Sequence, residues 1–369
     1  MAKTRRPISR ATPRAGSNST SSCSTAGSRR RWRRRNPDST AELTAKATRR
    51  SRSALALALP LCLLASPAAW SQGGILVSGF IDAGVYRDNG DTWRVGPIQR
   101  SNLAFEAREA LGDGAIVTFR LSTRFEPDSG AFEEAGKPFW HDEATIGLTG
   151  KFGSLRIGRH MDALYANDWI FDPWDYYDRI ASPAYDLWRR NFASDPIANL
   201  GGTPDWGRVN NGVFYDSPDM NGFTLHVSGS PESSAGSRRK ALMTAVRYRH
   251  PHGAAMIAHG RNSAGDTDSF IGLKLIGTAV SLMGGYDISR SGASTAKGLS
   301  VGASHVAGRT TYRIGAGRVD VDGVRQERML GLGVRQALSA RTSVYADFAR
   351  KAYPARIAST YGVGITHSF

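Results

Sequence analysis

The sequence predicts an all-β fold: a 16-stranded antiparallel transmembrane β-barrel, preceded by a leader. Three observations carry this. From residue 75 onward there is no helical apolar stripe and no apolar run approaching the about 20 residues a membrane helix needs. Period-2 alternation recurs from there to the end, and tight turns alternate with longer polar connections.

Residues 54–69 form an apolar run behind Arg49, Arg50 and Arg52, the two parts of a secretory signal. Pro60 and Pro67 interrupt it, which argues against a retained anchor. Ala69 and Ser71 supply the small residues of a cleavage site, so residues 49–71 are assigned as signal peptide, cut after Ser71. No small residues in lipobox order precede Cys62, so a lipoprotein is not expected. The extension 1–48 is rich in Ser, Thr and Arg and holds the block Arg29-Arg30-Arg31-Trp32-Arg33-Arg34-Arg35. A nucleic-acid-binding tail is set aside, because no packed domain accompanies it and secretion would discard it. A twin-arginine signal would place its apolar stretch closer to the arginines. The preferred reading is a start assigned too early, with the initiator near residues 41–48.

The formal charge of +16 resides largely in this leader: residues 1–71 hold 15 basic and 2 acidic side chains, leaving 33 and 30 in residues 72–369. The exported part is nearly neutral and calls for no nucleic acid. Both cysteines, Cys23 and Cys62, also lie in the leader, so the remainder has neither disulfide nor thiol chemistry. No cofactor, metal site or catalytic residue is expected.

The strands are read at approximately 75–86, 100–110, 115–125, 138–149, 153–160, 208–217, 222–230, 240–250, 253–260, 267–276, 279–288, 297–306, 309–319, 326–337, 341–351 and 358–369. In the last, Tyr361, Val363, Ile365, His367 and Phe369 share one face and Gly362, Gly364, Thr366 and Ser368 the other. Leu103, Phe105 and Ala107 alternate with Asn102, Ala104 and Glu106, then Val117, Phe119 and Leu121 with Thr118, Arg120 and Ser122, joined by the Asp113-Gly114 hairpin signal. Seven connections are tight, among them Lys151-Phe152-Gly153, Met220-Asn221-Gly222, Pro251-His252-Gly253 and Ser339-Ala340-Arg341; eight longer polar loops alternate with them. A closed barrel leaves no edge strand in lipid, and sixteen strands enclose an aqueous lumen.

Six segments resemble the general porins of Gram-negative bacteria, particularly the trimeric porins of β-proteobacteria. The opening strand Ile75-Leu76-Val77-Ser78-Gly79-Phe80-Ile81-Asp82-Ala83-Gly84-Val85 carries the Gly-x-x-Asp-x-Gly of that family. Glu109-Ala110-Leu111-Gly112-Asp113-Gly114 resembles its first turn, and Ala144-Thr145-Ile146-Gly147-Leu148 with Phe152-Gly153-Ser154-Leu155-Arg156-Ile157-Gly158-Arg159 the pair before its constriction loop. Asn210-Asn211-Gly212-Val213-Phe214-Tyr215-Asp216-Ser217-Pro218-Asp219-Met220-Asn221-Gly222-Phe223 is the most specific match; Leu338-Ser339-Ala340-Arg341-Thr342-Ser343-Val344-Tyr345-Ala346 and the terminal Thr366-His367-Ser368-Phe369 complete the set. The resemblance implies an outer-membrane homotrimer among lipid and lipopolysaccharide. It also implies a pore passing small hydrophilic solutes and ions, and reading of the terminal Phe369 by the barrel-assembly machinery.

The connection 161–207 contains eight aspartates, three arginines and ten aromatics. The resemblance implies that it folds inward and narrows the pore, its aromatics against the wall and Asp168, Asp172, Asp175 and Asp178 facing water. An aromatic slide for sugars is the competing reading, although packing a loop inside a barrel needs the same residues. Opposing positive charge would set ion preference. Alternation places Arg120 and Arg124 on the inner face, and Arg208 matches a family constriction arginine; Arg247, Lys274, Arg313 and Arg335 are weaker candidates. Where the family usually carries an arginine in strand four, this chain has Asp142, which weakens the expected anion preference. An enzymatic barrel built on His141 with Asp142, or His160 with Asp162, lacks any accompanying motif. A secreted β-sandwich would not pair turns and loops so regularly. A pore specific for one class of small solute, an organic anion or a sugar, is the remaining rival.

Overall fold

The computed structural model describes residues 74–87, 92–133, 136–196, 205–233 and 238–369, so the extension 1–48 and the signal peptide 49–71 lie outside the described residues. Sixteen strands run in chain order: β1 (Leu76–Arg87), β2 (Ser101–Gly112), β3 (Ala115–Glu126), β4 (Glu143–Gly150), β5 (Gly153–Met161), β6 (Arg208–Asp216), β7 (Phe223–Ser233), β8 (Lys240–His250), β9 (Gly253–Arg261), β10 (Thr267–Ile276), β11 (Val280–Ser291), β12 (Ser294–Ala307), β13 (Thr310–Val321), β14 (Val324–Ala337), β15 (Thr342–Tyr353) and β16 (Arg356–Ser368). Each pairs antiparallel with its neighbours, and β1 pairs with β16 from Phe80↔Ser368 to Arg87↔Tyr361, which closes the barrel. Two short strands, Trp93–Gly96 and Ala131–Phe132, add to the outer ends of β1 and β3.

Closure matters because hydrocarbon offers backbone N–H and C=O groups no partner other than a neighbouring strand. The alternation resolves into two faces as expected. Ile81, Val85, Val363 and Ile365 are exposed on the outside, while Asp82, Ala104, Ser122, Arg124 and Thr366 are buried inside. Aromatics gather outside at the end where the chain termini lie: Phe223 packs 4.6 Å from Tyr248, and the Tyr215 hydroxyl donates to the Phe152 carbonyl at 2.9 Å. Such girdles mark a membrane interface. Phe369 extends the last pairing there, its N–H donating to the Gly79 carbonyl at 3.0 Å.

The tight turns form where the chain supplies left-handed conformations, as at Gly112 (φ 96), Asp113 (φ 50) and Gly114 (φ 79). Two expectations need correction. Strand four opens at Glu143, not 138, because Phe139 and Trp140 turn away and stack edge to face, 4.5 Å apart. The last three connections of the far end are two-residue turns at 292–293, 322–323 and 354–355 rather than long loops. Gly292, Asp322 and Gly323 adopt positive φ there. The strands continue past the apolar belt into segments whose outer faces are polar, so alternation of hydrophobicity fades while backbone pairing persists.

Candidate functional site

The Gly79-x-x-Asp82-x-Gly84 pattern of β1 ties the first loop into the lumen. Asp82 accepts from the N–H groups of Ile98 and Gln99, both at 2.9 Å, and from the Tyr345 hydroxyl at 2.6 Å. A Cβ on Gly84 would stand 2.7 Å from Ile98 Cδ1, so glycine makes room for that side chain. The Ile98 carbonyl in turn accepts from the N–H of Arg179 in the third loop.

The described residues of that third loop, 162–196 and 205–207, include a stretch along the inner faces of β10–β14, with the short α1 helix (Pro183–Leu187) beside β12, β13 and β14. Eight wall glycines, Gly272, Gly285, Gly298, Gly302, Gly315, Gly317, Gly331 and Gly333, have loop atoms where a Cβ would project. Together they form a shelf. Phe171, Trp174, Leu187, Trp188 and Phe192 are buried against it, and the Trp174 indole donates to Asp347 Oδ1 of β15 at 2.7 Å. Ser182 caps α1 by accepting from the Tyr185 N–H, with Pro183 in the first turn.

Three of the four loop aspartates expected to face water do not. Asp168 is 1% exposed and ion-paired to Arg189. Asp172, also 1% exposed, accepts from the N–H groups of Trp174, Tyr176 and Ala184 and from the Ser182 hydroxyl, and burial pushes its carboxyl up to about 6. Asp178 accepts from Ile180 N–H at 2.8 Å and Ala181 N–H at 2.6 Å, and burial and then neighbouring Asp347 push it well up. A loop withdrawn from water must satisfy its own backbone donors, and short carboxylates do this. Only Asp175, at φ 54, remains partly exposed.

The arginines divide by level. Arg120 on β3 pairs with Glu106 at 3.0 Å and Glu143 at 3.1 Å. Toward the far end, Arg124 and Arg208 share Asp142: Arg124 Nε lies 2.8 Å from its carboxylate, and Arg208 binds both that carboxylate and, at 2.7 Å, the Asp142 carbonyl. Arg247, Lys274, Arg313 and Arg335 all face the lumen on the terminus side of the loop, where Arg247 donates to Asn167 Oδ1 at 2.6 Å.

Three further arginines complete the far-side cluster. Arg159 donates to the His141 carbonyl at 2.6 Å and Asn210 Oδ1 at 2.7 Å and pairs with Asp205. Strict alternation would point it outward; a bulge at Gly158 (φ 131) shifts the phase and turns it inward. Arg100 pairs with Glu133 at 3.2 Å, and Arg189 lies over the Tyr165 ring, 4.5 Å from its centre. Arg189 lies in a connection, where no period indicates a face, whereas Arg100 opens the strand read at 100–110, in phase with Asn102 and Ala104. A cavity of about 260 Å³ results, lined by Arg100, Arg124, Lys137, Arg159, Arg189 and Arg208 against Glu133 and Asp205, with Tyr165, Tyr176 and Tyr185 beside them.

Burial alone would raise Glu133, yet Arg100, Arg124 and Arg179 hold it at about 2, below its ordinary 4.5. A depressed folded value means that the stabilisation is fully present above about 4.5 and is lost as pH falls through about 2. Limited proteolysis of the second loop should therefore stay constant from pH 8 to 5 and rise only in acid. Glu133→Gln should already be cut faster at pH 7; equal cutting of both proteins would refute the assignment.

A family model described as Gram-negative porin matches residues 54–355. The major outer membrane protein P.IA of Neisseria meningitidis serogroup A is 28% identical over 147 residues, 40% of this chain and 32% of that protein. Its counterpart in the serogroup B strain MC58 is 29% identical over 131 residues, 36% of this chain and 28% of that protein. The chain thus matches about a third of the length of these relatives or less. An anion-selective porin from Comamonas acidovorans superposes with a TM-score of 0.69 at 19% identity, covering 80% of this chain and 100% of that one. OmpF of Salmonella typhi superposes with a TM-score of 0.62 at 12% identity, covering 80% and 98%. At such identities the likeness to these two structures is one of fold.

Proposed function

Because the chain belongs to the Gram-negative porin family, we propose that it forms a water-filled channel in the outer membrane through which ions and small hydrophilic solutes diffuse passively. One observation carries this reading: a barrel apolar outside encloses a charged lumen into which the described part of the third loop packs, much of it along β10–β14. The loop narrows the passage, and solutes cross between it and the arginines of β3, β5 and β6. The six cations around the 260 Å³ cavity still outnumber Glu133 and Asp205 in its lining together with Asp142 and Asp168 behind it, and this excess favours anions. The barrel assembles as a homotrimer among lipid and lipopolysaccharide after export by the 49–71 signal, with Phe369 recognised by the assembly machinery. No step of this function calls for a catalytic group.

Protein from outer membranes, whose mass should begin at Gln72, would be added to a planar bilayer under a salt gradient. Ohmic steps closing in threes with an anion-selective reversal potential are expected. Silence from correctly folded, heat-modifiable protein would reject the open pore. Tyr165, Tyr176 and Tyr185 beside the arginines favour one second reading, a pore specific for small organic anions. Flux that saturates with concentration would select it.

A further inference from the structure

The shelf that seats the third loop also determines what lies directly below it. Two residues toward the terminus end from Gly272, Gly315 and Gly333, on the same inner face, stand Lys274, Arg313 and Arg335. Arg313 is registered opposite Gly333 and Arg335 opposite Thr311, so the two guanidiniums are diagonal neighbours on adjacent strands. Pro173 fills the space above Gly302 and Trp174 that above Gly315 and Gly333. This seats Asp175 at the row of cations.

These cations differ from those of the far-side cluster. Arg100, Arg124, Arg159 and Arg208 each have a carboxylate within 4 Å. Among the described residues Lys274, Arg313 and Arg335 have none, and Arg313 Nε is buried without a protein acceptor. Arg313, Lys274 and Arg335 all act on the Asp175 carboxyl, whereas Asp347 also senses Arg313 and Asp82 also acts on Arg335, none of these carboxylates in contact with the three cations. With no carboxylate within 4 Å among the described residues, the donors of these three cations remain available to an anion from solution, and attraction grows with the charge of the anion.

We propose that Lys274, Arg313 and Arg335 form a second anion site on the periplasmic side of the third loop, in series with the far-side cluster, for small multivalent oxyanions such as phosphates and di- or tricarboxylates. The proposal rests on the channel reading for its access route but not for its chemistry. Solutes leaving the far-side cluster pass this site before the periplasm. It therefore makes block by such anions sided.

Citrate is the probe. In a bilayer, periplasmic citrate should block the chloride current at roughly tenfold lower concentration than external citrate, about the 1.4 kcal/mol that one decade represents. Sidedness would be established by labelling Lys151→Cys in a terminus-side turn, the rest of the exported chain being free of cysteine. Arg313→Gln/Arg335→Gln should abolish the asymmetry, whereas Asp175→Asn should strengthen periplasmic block. Opposite signs in the two variants separate charge from misfolding. Equal block from both sides, or an asymmetry untouched by Arg313→Gln/Arg335→Gln, would overturn the site. Calorimetric titration of citrate into detergent-folded protein reads the same loss and gain without open channels, so a silent bilayer would count against the channel reading alone. An unchanged titration in both variants would count against the site.

Discussion

Gly331→Val is expected to narrow the channel, with single-channel conductance falling severalfold and the folded barrel lost at lower temperature. A Cβ at this position would stand 2.1 Å from the carbonyl oxygen of Ala181 and 3.0 Å from its carbonyl carbon, both backbone atoms. Strand β14 cannot yield, because Gly331 is registered with Gly315 on one side and Ala349 on the other. The loop must move instead. Overpacking of this kind costs about 1–3 kcal/mol. Phe171, Trp174, Leu187 and Trp188, each contributing about 1.5–3 kcal/mol when fully buried, continue to hold the segment near the wall. A shift toward the lumen is the balance of these terms, not release. Leu332→Val, one residue on and facing outward, is the matched control. Identical conductance and thermal behaviour in Gly331→Val and the parent would refute the seating of the loop.

The second large effect is expected at Asp142→Asn. The Asp142 carboxylate is the shared counter-charge of Arg124 and Arg208, and all three side chains are at most 10% exposed. Removing one partner of a buried ionic group strands the others, at a cost of about 3–5 kcal/mol. The variant should melt earlier, and its reversal potential should move toward anions because two guanidiniums lose their neutraliser. Asp142→Asn/Arg208→Gln should recover part of both changes, since the double substitution removes the stranded charge. A reversal potential unchanged in Asp142→Asn would mean that permeating ions do not sense this cluster. The role of Asp142 is structural as well as electrostatic: placed just before β4, it ties Arg124 of β3 to Arg208 of β6.

Strand number, strand order and facing were legible in the residues because each depends on a local pattern: alternation along β16, the Asp113-Gly114 turn, the Asn221-Gly222 turn. The glycines of β10–β14 were equally visible, but their meaning was not. A glycine in a strand reads as a weak position until a loop from some 100 to 160 residues away is seen occupying the missing side chain's place. Asp168, Asp172 and Asp178 were misplaced for a related reason. Their charge suggested water, while their hydrogen bonds go to a loop backbone that the fold had already withdrawn from water.

By itself the sequence determined a closed barrel of sixteen strands, its apolar outer face and its long aromatic third connection, because period-2 alternation and turn chemistry act between residues only a few positions apart. Tertiary structure alone decided which charges remain available to a solute. Arg208 meets Asp142 across 66 positions, Arg159 reaches Asp205 across 46 only because a bulge at Gly158 reverses its face, and Arg313 Nε is buried without a protein acceptor. A charge is neutralised by what lies within a few ångströms of it, and in a barrel that distance is determined by register and closure rather than by proximity along the chain.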